Sequence, residues 1–236
     1  MTSAPLPVVT LDGPAGVGKT TLARRMAESL GIAYLDTGAM FRCLALRLGA
    51  GADAWGEERL REACAAHVFS LEGNGAGTRI CCNDVPVRGE IRTEEVGMLA
   101  AKLGQAPVVR GFLCEAQRRL AGQRPLVVEG RDMGTVVFPT ARFKFFLDAS
   151  PEVRALRRLR DLEARGQSAD LAELTEQIRK RDAMDRNRPI APLRAAPDAV
   201  VVDTSSLDIE GVLGALLHVV NVHGGAALLH ACGERP

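Results

Sequence analysis

Short apolar runs alternate with longer segments of helical period along most of the chain. The apolar runs, each typical of a buried strand, lie at residues 8–11, 32–35, 126–128, 143–147 and 200–202. Between the first two runs, Leu22, Met26 and Leu30 are spaced four positions apart, which gives a helix over residues 19–30 one buried face. Strands that alternate with helices predict an α/β fold of three layers, with helices on both faces of a central parallel sheet.

The other helices are predicted mainly from their start signals. Thr93 and Ser150 can each cap a helix N-terminus, and Pro151 suits the first helical position. Helices are therefore expected up to residue 48, over 94–121 with a break near Pro107, and over 151–166, 171–185 and 209–223.

Residues 67–92 differ in character from the segments around them. Three short runs of strand composition, at residues 67–71, 78–82 and 85–87, are separated by the turn-forming stretches Gly73-Asn74-Gly75 and Asn83-Asp84. They predict a small antiparallel β insertion. The chain then divides into a core of residues 1–66 and 93–223, the insertion of residues 67–92, and a flexible tail of residues 224–236.

Composition and charge narrow the classes of function. A net charge of +1 gives no general attraction to nucleic acid or to an anionic membrane, and no apolar run approaches the roughly 20 residues of a membrane helix. The six cysteines lack C-x-x-C pairs and zinc-ligand spacing, and residues 1–7 lack the regions of a signal peptide. We therefore expect a cytoplasmic monomer with reduced thiols and with neither a nucleic-acid nor a membrane partner.

A glycine-rich segment carries the first chemical signal. Gly13-Pro14-Ala15-Gly16-Val17-Gly18-Lys19-Thr20 matches the pattern G-x-x-x-x-G-K-[ST] at every fixed position, between a predicted strand and a predicted helix. The glycines let backbone N–H groups wrap a phosphate, Lys19 reaches the β- and γ-phosphates, and the Thr20 hydroxyl is placed to bind Mg²⁺. The segment predicts ATP or GTP binding and leaves the phosphate acceptor open.

Acidic residues and a missing motif narrow the class further. The base-reading motif N-K-x-D of GTPases is absent from the sequence. Glu129 stands at the end of the strand at residues 126–128, where an acid can orient the waters of Mg²⁺. Asp12 and Asp132 are alternatives for that role.

Arginines supply the second signal, because phosphoryl transfer between two anions needs positive charge around the transferring group. Arg131 follows a central strand, where ligands bind in open α/β sheets, and Arg42 lies about one helical turn after Asp36-Thr37-Gly38. A further set flanks Gly166 and predicts a flap that closes over ATP, with most members expected on a solvated face: Arg154, Arg157, Arg158, Arg179, Arg181, Arg186 and Arg188. These features indicate a small-molecule phosphotransferase.

Five segments carry a likeness to a known family: residues 10–16 (TLDGPAG), 35–42 (LDTGAMFR), 89–96 (GEIRTEEV), 129–139 (EGRDMGTVVFP) and 181–188 (RDAMDRNR). In this order along the chain, they resemble the bacterial cytidylate kinases, a branch of the nucleoside monophosphate kinase family. The fourth segment is the most specific. The resemblance implies an AMP-kinase-like P-loop core, a nucleoside monophosphate-binding role for the insertion at 67–92, and a short helical lid near residues 157–170.

The resemblance also implies a reaction and a set of site residues. The reaction is transfer of the γ-phosphate of ATP to CMP or dCMP, with Mg²⁺ as cofactor, and the implied catalytic residues are Lys19, Arg131, Arg157 and Arg181. The ATP-binding set is Gly13, Pro14, Ala15, Gly16, Val17, Gly18, Lys19, Thr20, Thr21, Arg157 and Arg158. The CMP-binding set is Asp36, Thr37, Phe41, Arg42, Arg110, Arg131, Asp132, Arg181, Asp185 and Arg188. Thr20 would bind Mg²⁺ directly and Glu129 through water.

Within the CMP-binding set the implied roles differ. Arg42 and Arg131 would hold the acceptor phosphate, while Asp185, with Arg181 or Arg188, would hold the sugar. Arg110 and Asp132 would read the base, which fits cytosine because its N4 amino group donates while its O2 and N3 atoms accept.

Two positions depart from the family pattern. Phe41 stands where tyrosine is common, and Ala101 stands where a serine that touches the base is expected. A lost hydrogen bond costs about 0.5–1.5 kcal/mol, which weakens discrimination against uracil. The alternatives are therefore a kinase for another nucleoside monophosphate, such as UMP, and a non-catalytic ATP-binding sensor that reports through Cys81-Cys82 or the insertion.

Overall fold

The computed structural model describes residues 6–164 and 166–223. Its centre is a five-stranded sheet in the order β2-β6-β1-β7-β8, and every pairing in it is parallel. The strands of the described residues are β1 Val8–Asp12, β2 Ala33–Asp36, β3 Phe69–Glu72, β4 Arg79–Cys82, β5 Val85–Pro86, β6 Leu126–Gly130, β7 Phe143–Asp148 and β8 Val200–Asp203.

Helices cover both faces of this sheet, which confirms the predicted three layers. They are α1 Lys19–Leu30, α2 Thr37–Leu48, α3 Glu57–Ala65, α4 Glu94–Leu103, α5 Pro107–Ala121, α6 Pro151–Glu163, α7 Leu171–Asn187 and α8 Ile209–Val222. Alternation along β6 divides the core: Val127 packs with α1 and α8, whereas Leu126 and Val128 pack with α2 to α5. The central strands are buried on both faces, which is why their sequences are continuous apolar runs.

The predicted helix start signals cap their helices as expected. The Thr93 hydroxyl accepts a hydrogen bond from the Val96 N–H at the start of α4, and the Ser150 hydroxyl accepts one from Val153 at the start of α6. The break near Pro107 separates α4 from α5. α6 ends at Glu163, short of the predicted end at residue 166.

The small antiparallel sheet is also confirmed. Strands β3, β4 and β5 pair in chain order, with Phe69 opposite Cys82 and Cys82 opposite Val85. The turn at Asn83 and Asp84 has positive φ angles of 51° and 60° at these two residues, which asparagine and aspartate tolerate better than most side chains.

α3 and a helical turn after β6 lack a counterpart in the sequence prediction. α3 forms in a segment for which the pattern predicts no element, and only Leu60 and Cys64 of this helix are buried, so its apolar stripe is short. A π-helical turn, Met133–Val137, follows β6. The predicted tail at residues 224–236 lies outside the described residues, and no described helix is long and apolar enough to cross a membrane.

Candidate active site

The phosphate loop, residues 13–20, joins β1 to α1 as the motif predicts. Gly13, Gly16 and Gly18 have φ angles of 147°, 79° and 93°, values that side chains with a Cβ rarely adopt. At Gly13 a Cβ would lie 2.2 Å from the Leu147 carbonyl oxygen on β7. The loop therefore reaches its conformation because glycine stands where the backbone turns and passes close to the sheet.

Lys19 lies at the first position of α1, and its side chain folds back over the loop. Its Nζ donates hydrogen bonds to the carbonyl oxygens of Gly13 at 2.8 Å and Pro14 at 2.7 Å. Burial, followed by repulsion from Arg131, lowers the pKa of Lys19 to about 7. The ammonium group thus lies within the loop, and its hydrogen bonds to the described residues go to carbonyl oxygens rather than to a carboxylate.

Glu129 stands at the carboxyl end of β6, beside the start of α1. The Tyr34 hydroxyl donates a hydrogen bond to its carboxylate. Burial and the nearby charge of Asp36 raise the pKa of Glu129, while the charge of Lys19 and the neighbouring hydroxyls of Tyr34 and Thr20 act in the opposite direction. A hydroxyl and a carboxylate therefore meet at the mouth of the loop, and oxygen ligands of this kind suit Mg²⁺.

The two alternative acids are occupied elsewhere. Asp12 accepts hydrogen bonds from the backbone N–H groups of Met133 at 2.9 Å and Gly134 at 2.7 Å, and burial raises its pKa to about 6. Asp132 forms an ion pair with Arg110. Of the three acids proposed from sequence, Glu129 is the one that lies against Thr20.

A cavity, here named the arginine cleft, opens at the carboxyl end of β6. It is lined by side chains and glycines from five parts of the chain: Thr37, Gly38, Phe41, Arg42, Gly97, Ala100, Ala101, Gly104, Gln105, Arg110, Gly130, Arg131, Asp132, Arg181, Met184, Asp185 and Arg188. Nine of the ten residues in the predicted CMP-binding set are in this lining. Asp36, the tenth, caps the N-terminus of α2 by accepting a hydrogen bond from the Ala39 N–H at 2.8 Å.

The inner end of the arginine cleft holds a buried ion pair. Asp132 accepts hydrogen bonds from Arg110 and, at 3.5 Å, from Arg188. Burial raises the pKa of Asp132, and the three neighbouring arginines oppose that shift. The Arg110 guanidinium also lies 5.8 Å from the centre of the Phe41 ring. An acceptor and a donor group therefore stand side by side beneath an aromatic face.

The outer part of the arginine cleft is rich in positive charge. Arg131 donates a hydrogen bond to Asp185 at 2.7 Å, and burial together with the charge of Arg131 lowers the pKa of Arg181. Arg42 donates to the carbonyl oxygens of Ile91 at 3.1 Å and Thr93 at 3.2 Å, just after the small sheet. An anionic group bound here would meet three guanidinium groups.

The arginines of α6 separate into different environments. Arg157 donates hydrogen bonds to the hydroxyl of Thr204, at 3.2 Å, and to its carbonyl oxygen, so it holds the segment after β8. Arg158 is exposed, and its charge contributes to the lowered pKa of Arg181. Arg154, expected on a flap or a solvated face, is instead 1% exposed.

Sequence reasoning missed several residues of the site. Tyr34 binds Glu129, and Gln105 and Met184 line the arginine cleft. Tyr34 is one of several residues in an apolar run, and nothing in the sequence shows that its hydroxyl faces an acid. Gln105 lies just after the C-terminus of α4, outside its helical period, so no spacing signal placed it in the arginine cleft.

The chain is similar to known proteins in sequence and in fold. A family model described as cytidylate kinase matches residues 9–222. The chain is 58% identical to a cytidylate kinase of Nitratidesulfovibrio vulgaris strain Hildenborough, over 94% of this chain and 96% of that protein. It is 47% identical to a cytidylate kinase of Methylococcus capsulatus, over 92% and 98%. A crystal structure of shikimate kinase from Bacteroides thetaiotaomicron, 17% identical with a TM-score of 0.50, covers 91% of this chain and 98% of its own and supports the fold alone.

Proposed function

The chain belongs to the cytidylate kinase family, and on this premise we propose that it transfers the γ-phosphate of ATP to CMP or dCMP, giving CDP or dCDP. The family makes the protein a nucleotide-binding phosphotransferase. The donor, the acceptor and the metal are the parts that the proposal adds.

The juxtaposition of Arg110 and Asp132 at the inner end of the arginine cleft carries the choice of acceptor. Both side chains are at most 7% exposed, so a base that enters must satisfy them. Cytosine has the matching edge, because its N4 amino group can donate to Asp132 while its O2 and N3 atoms can accept from Arg110. Uracil presents an oxygen where cytosine has the amino group, and this oxygen would face the Asp132 carboxylate.

The phosphate of the monophosphate would then lie among Arg42, Arg131 and Arg181. One of its oxygens attacks the γ-phosphorus, the bond between that phosphorus and the β–γ bridging oxygen breaks, and ADP leaves. The attacking oxygen is already anionic, so the protein has to position and neutralise charge rather than remove a proton. Asp185 and Arg188 lie beside this position and are the proposed contacts to the sugar.

The triphosphate would occupy the phosphate loop. We assign its phosphates to the backbone of residues 13–18, with Lys19 at the β- and γ-phosphates and Thr21 on the first turn of α1. Arg157 and Arg158 on α6 complete the donor side. Thr20 and, through water, Glu129 would hold Mg²⁺, which neutralises charge on the phosphate oxygens when bound.

A coupled assay of ADP release tests the proposal. ATP and Mg²⁺ would be supplied with CMP, dCMP, UMP or AMP in turn, with Lys19→Ala as the control for loss of transfer. Selective turnover of CMP and dCMP is expected. Turnover of another monophosphate instead would overturn the acceptor assignment, and tight nucleotide binding without any turnover would favour a sensor.

One observation keeps UMP as the second candidate. Ala101 lines the arginine cleft and offers the base no hydrogen bond from its side chain. The ratio of kcat/KM for CMP to that for UMP in the same assay measures how much discrimination remains.

A further inference from the structure

Arg154 is an unusual arginine, because its side chain is buried against both the phosphate loop and a neighbouring helix. It lies on α6 with 1% of its side chain exposed. Its Nε donates to the Ala149 carbonyl oxygen at 2.9 Å, and one terminal nitrogen donates to the Ala15 carbonyl oxygen of the phosphate loop at 3.1 Å. A Cβ at Gly16 would lie 3.5 Å from the Cβ of Arg154, so the two backbones are close.

The remaining contacts of Arg154 lead to α7. Its two terminal nitrogens donate to the two carboxylate oxygens of Asp182, one at 3.0 Å. This bidentate geometry fixes the orientation of both side chains. The neighbours of Asp182 on α7, Arg181 and Asp185, line the arginine cleft. A single buried ion pair thus joins the backbone that would hold ATP to the helix that would hold the monophosphate.

We propose that Arg154 and Asp182 are positioning residues that transmit the state of the phosphate loop to the face of α7 in the arginine cleft, so that a nucleoside triphosphate tightens the binding of the monophosphate. The inference rests on the proposed function, since it needs both nucleotides. Neither residue touches substrate in this role.

The physical reason for the coupling is that a buried, bidentate ion pair cannot be loosened in small steps. Separating the guanidinium from the carboxylate would leave an uncompensated buried charge, so α6 and α7 move together, and the hydrogen bond from Arg154 to Ala15 extends this link to the loop. When the triphosphate orders the loop, the Ala15 carbonyl fixes Arg154, and α7 is held in one position. The second ligand then binds to a site that is already ordered, which gives positive coupling.

The same two helices provide a matched control. Arg179 on α7 forms an ion pair with Glu152 on α6, and the two side chains are 55% and 56% exposed. Exposed pairs of this kind contribute little to stability. The ion pair joins the two helices at the surface, away from the buried contact of Arg154 with Ala15. Glu152→Gln therefore perturbs the contact between α6 and α7 without perturbing the path to Ala15.

The test is calorimetric titration of CMP into the full chain with and without a saturating, non-hydrolysable ATP analogue and Mg²⁺. The ratio of the two dissociation constants is the coupling. For the unaltered protein we expect a ratio of at least ~5, the lower end of ordinary coupling between sites. Asp182→Asn should bring the ratio to within about twofold of unity, and Glu152→Gln should leave it unchanged.

Thermal unfolding of each variant separates folding from coupling. If Asp182→Asn does not fold, Arg154→Lys is used, because lysine keeps the charge and loses the bidentate geometry. A ratio of unity in the unaltered protein, or an unchanged ratio in the folded variant, overturns the inference. Equal loss in Glu152→Gln also overturns it, since any contact between the helices would then suffice.

Failure of the proposed function has a different signature. If the proposed function is wrong, CMP gives no turnover in the ADP-release assay, whatever the ratio of the two dissociation constants is. If UMP or AMP is the monophosphate that is turned over, the same titration is run with it, and the same ratios decide. If no monophosphate is turned over, both the proposed function and the inference fall.

Discussion

The phosphate loop and the arginine cleft lie side by side, and they are built in opposite ways. The loop comes from residues 13–20, a continuous stretch, and its shape depends on positive φ angles at glycines. The cleft takes side chains from positions 37 to 188, from α2, α4, α5, the end of β6 and α7. One region is encoded by local backbone geometry, and the other exists only after the chain has folded.

The two regions also differ in how positive charge is held. In the loop, Lys19 is buried and donates to two carbonyl oxygens. In the cleft, Arg110 and Arg131 are each paired with a carboxylate. A ligand in the loop would therefore give Lys19 an anionic hydrogen-bond partner, which the described residues do not, whereas a ligand in the cleft would have to compete with existing ion pairs.

Removal of the lysine should give the largest effect. We expect Lys19→Ala to reduce kcat by about 10²–10³-fold, the cost of losing one electrostatic contact to a developing charge. Initial rates with ATP and CMP measure it. The matched control is Lys144→Met, because Lys144 is also buried and bonds Asp198 and the Pro139 carbonyl, outside both regions. A similar loss of kcat in Lys144→Met would mean that Lys19→Ala lowers the rate by disturbing the fold and not by removing a contact to the phosphate.

A Cβ in the loop should give the next largest effect. Gly13→Ala places a methyl group 2.2 Å from the Leu147 carbonyl oxygen at a strained φ, so we expect the free energy of unfolding to fall by about 3 kcal/mol. Denaturant titration measures it.

Gly214→Ala is the control for this substitution. Gly214 lies on α8, and apart from its chain neighbours and the nearby backbone of its own helix no described atom lies within 4 Å of the position that a Cβ would take there, so alanine should raise stability by about 0.5–1 kcal/mol. Equal stability changes at the two glycines would contradict the view that backbone geometry builds the loop.

A side-chain change in the cleft should alter selectivity more than catalysis. With Asp132→Asn, the charged acceptor for the cytosine amino group is replaced by an amide. We expect the preference for CMP over UMP, measured as the ratio of kcat/KM values, to fall on the order of 10–100-fold. Asp198→Asn, which alters an ion pair outside the cleft, should leave the ratio unchanged. An unaltered ratio in Asp132→Asn would remove this residue from base recognition.

Proton uptake should give the smallest effect and should come from the loop alone. The pKa of Lys19 is lowered to about 7 in the nucleotide-free protein, and the polyphosphate should raise the pKa of Lys19 again, so ATP binding takes up a proton above about pH 7. The affinity for Mg–ATP should therefore fall as pH rises above 7, by at most about tenfold per unit. Calorimetry at pH 8 in buffers of different ionisation enthalpy measures the uptake, which Lys19→Met should abolish.

The stability of the nucleotide-free protein should follow the opposite trend. The unfolded chain holds the lysine proton up to pH 10.5 and the folded chain only to about 7. Because the unfolded state binds more protons between these values, the contribution of Lys19 to the free energy of unfolding rises with pH in this window. A falling contribution, measured as the difference between the protein and Lys19→Met, would contradict the lowered pKa.

Local signals explain why much of the fold was predictable. Thr93, Ser150 and Pro151 mark helix starts through contacts within four residues, and the apolar run at 126–128 marks a central strand. α3 escaped prediction because its buried face consists of two residues. The sequence named Glu129 first and left Asp12 and Asp132 as alternatives, because all three acids lie at or just after the end of a buried strand and only their partners differ.

The sequence by itself determined the phosphate loop, the small antiparallel sheet and the succession of strands and helices along the chain apart from α3, because these depend on φ preferences, caps and periodicity between near neighbours. Only the tertiary structure decided that Tyr34 binds Glu129, that Arg110 and Asp132 stand together, and that Arg154 is buried against Ala15 and Asp182. These contacts join residues 22 to 139 positions apart. Their energies depend on burial and on partners that the packing of α5, α6 and α7 brings together, and a linear sequence does not contain either quantity.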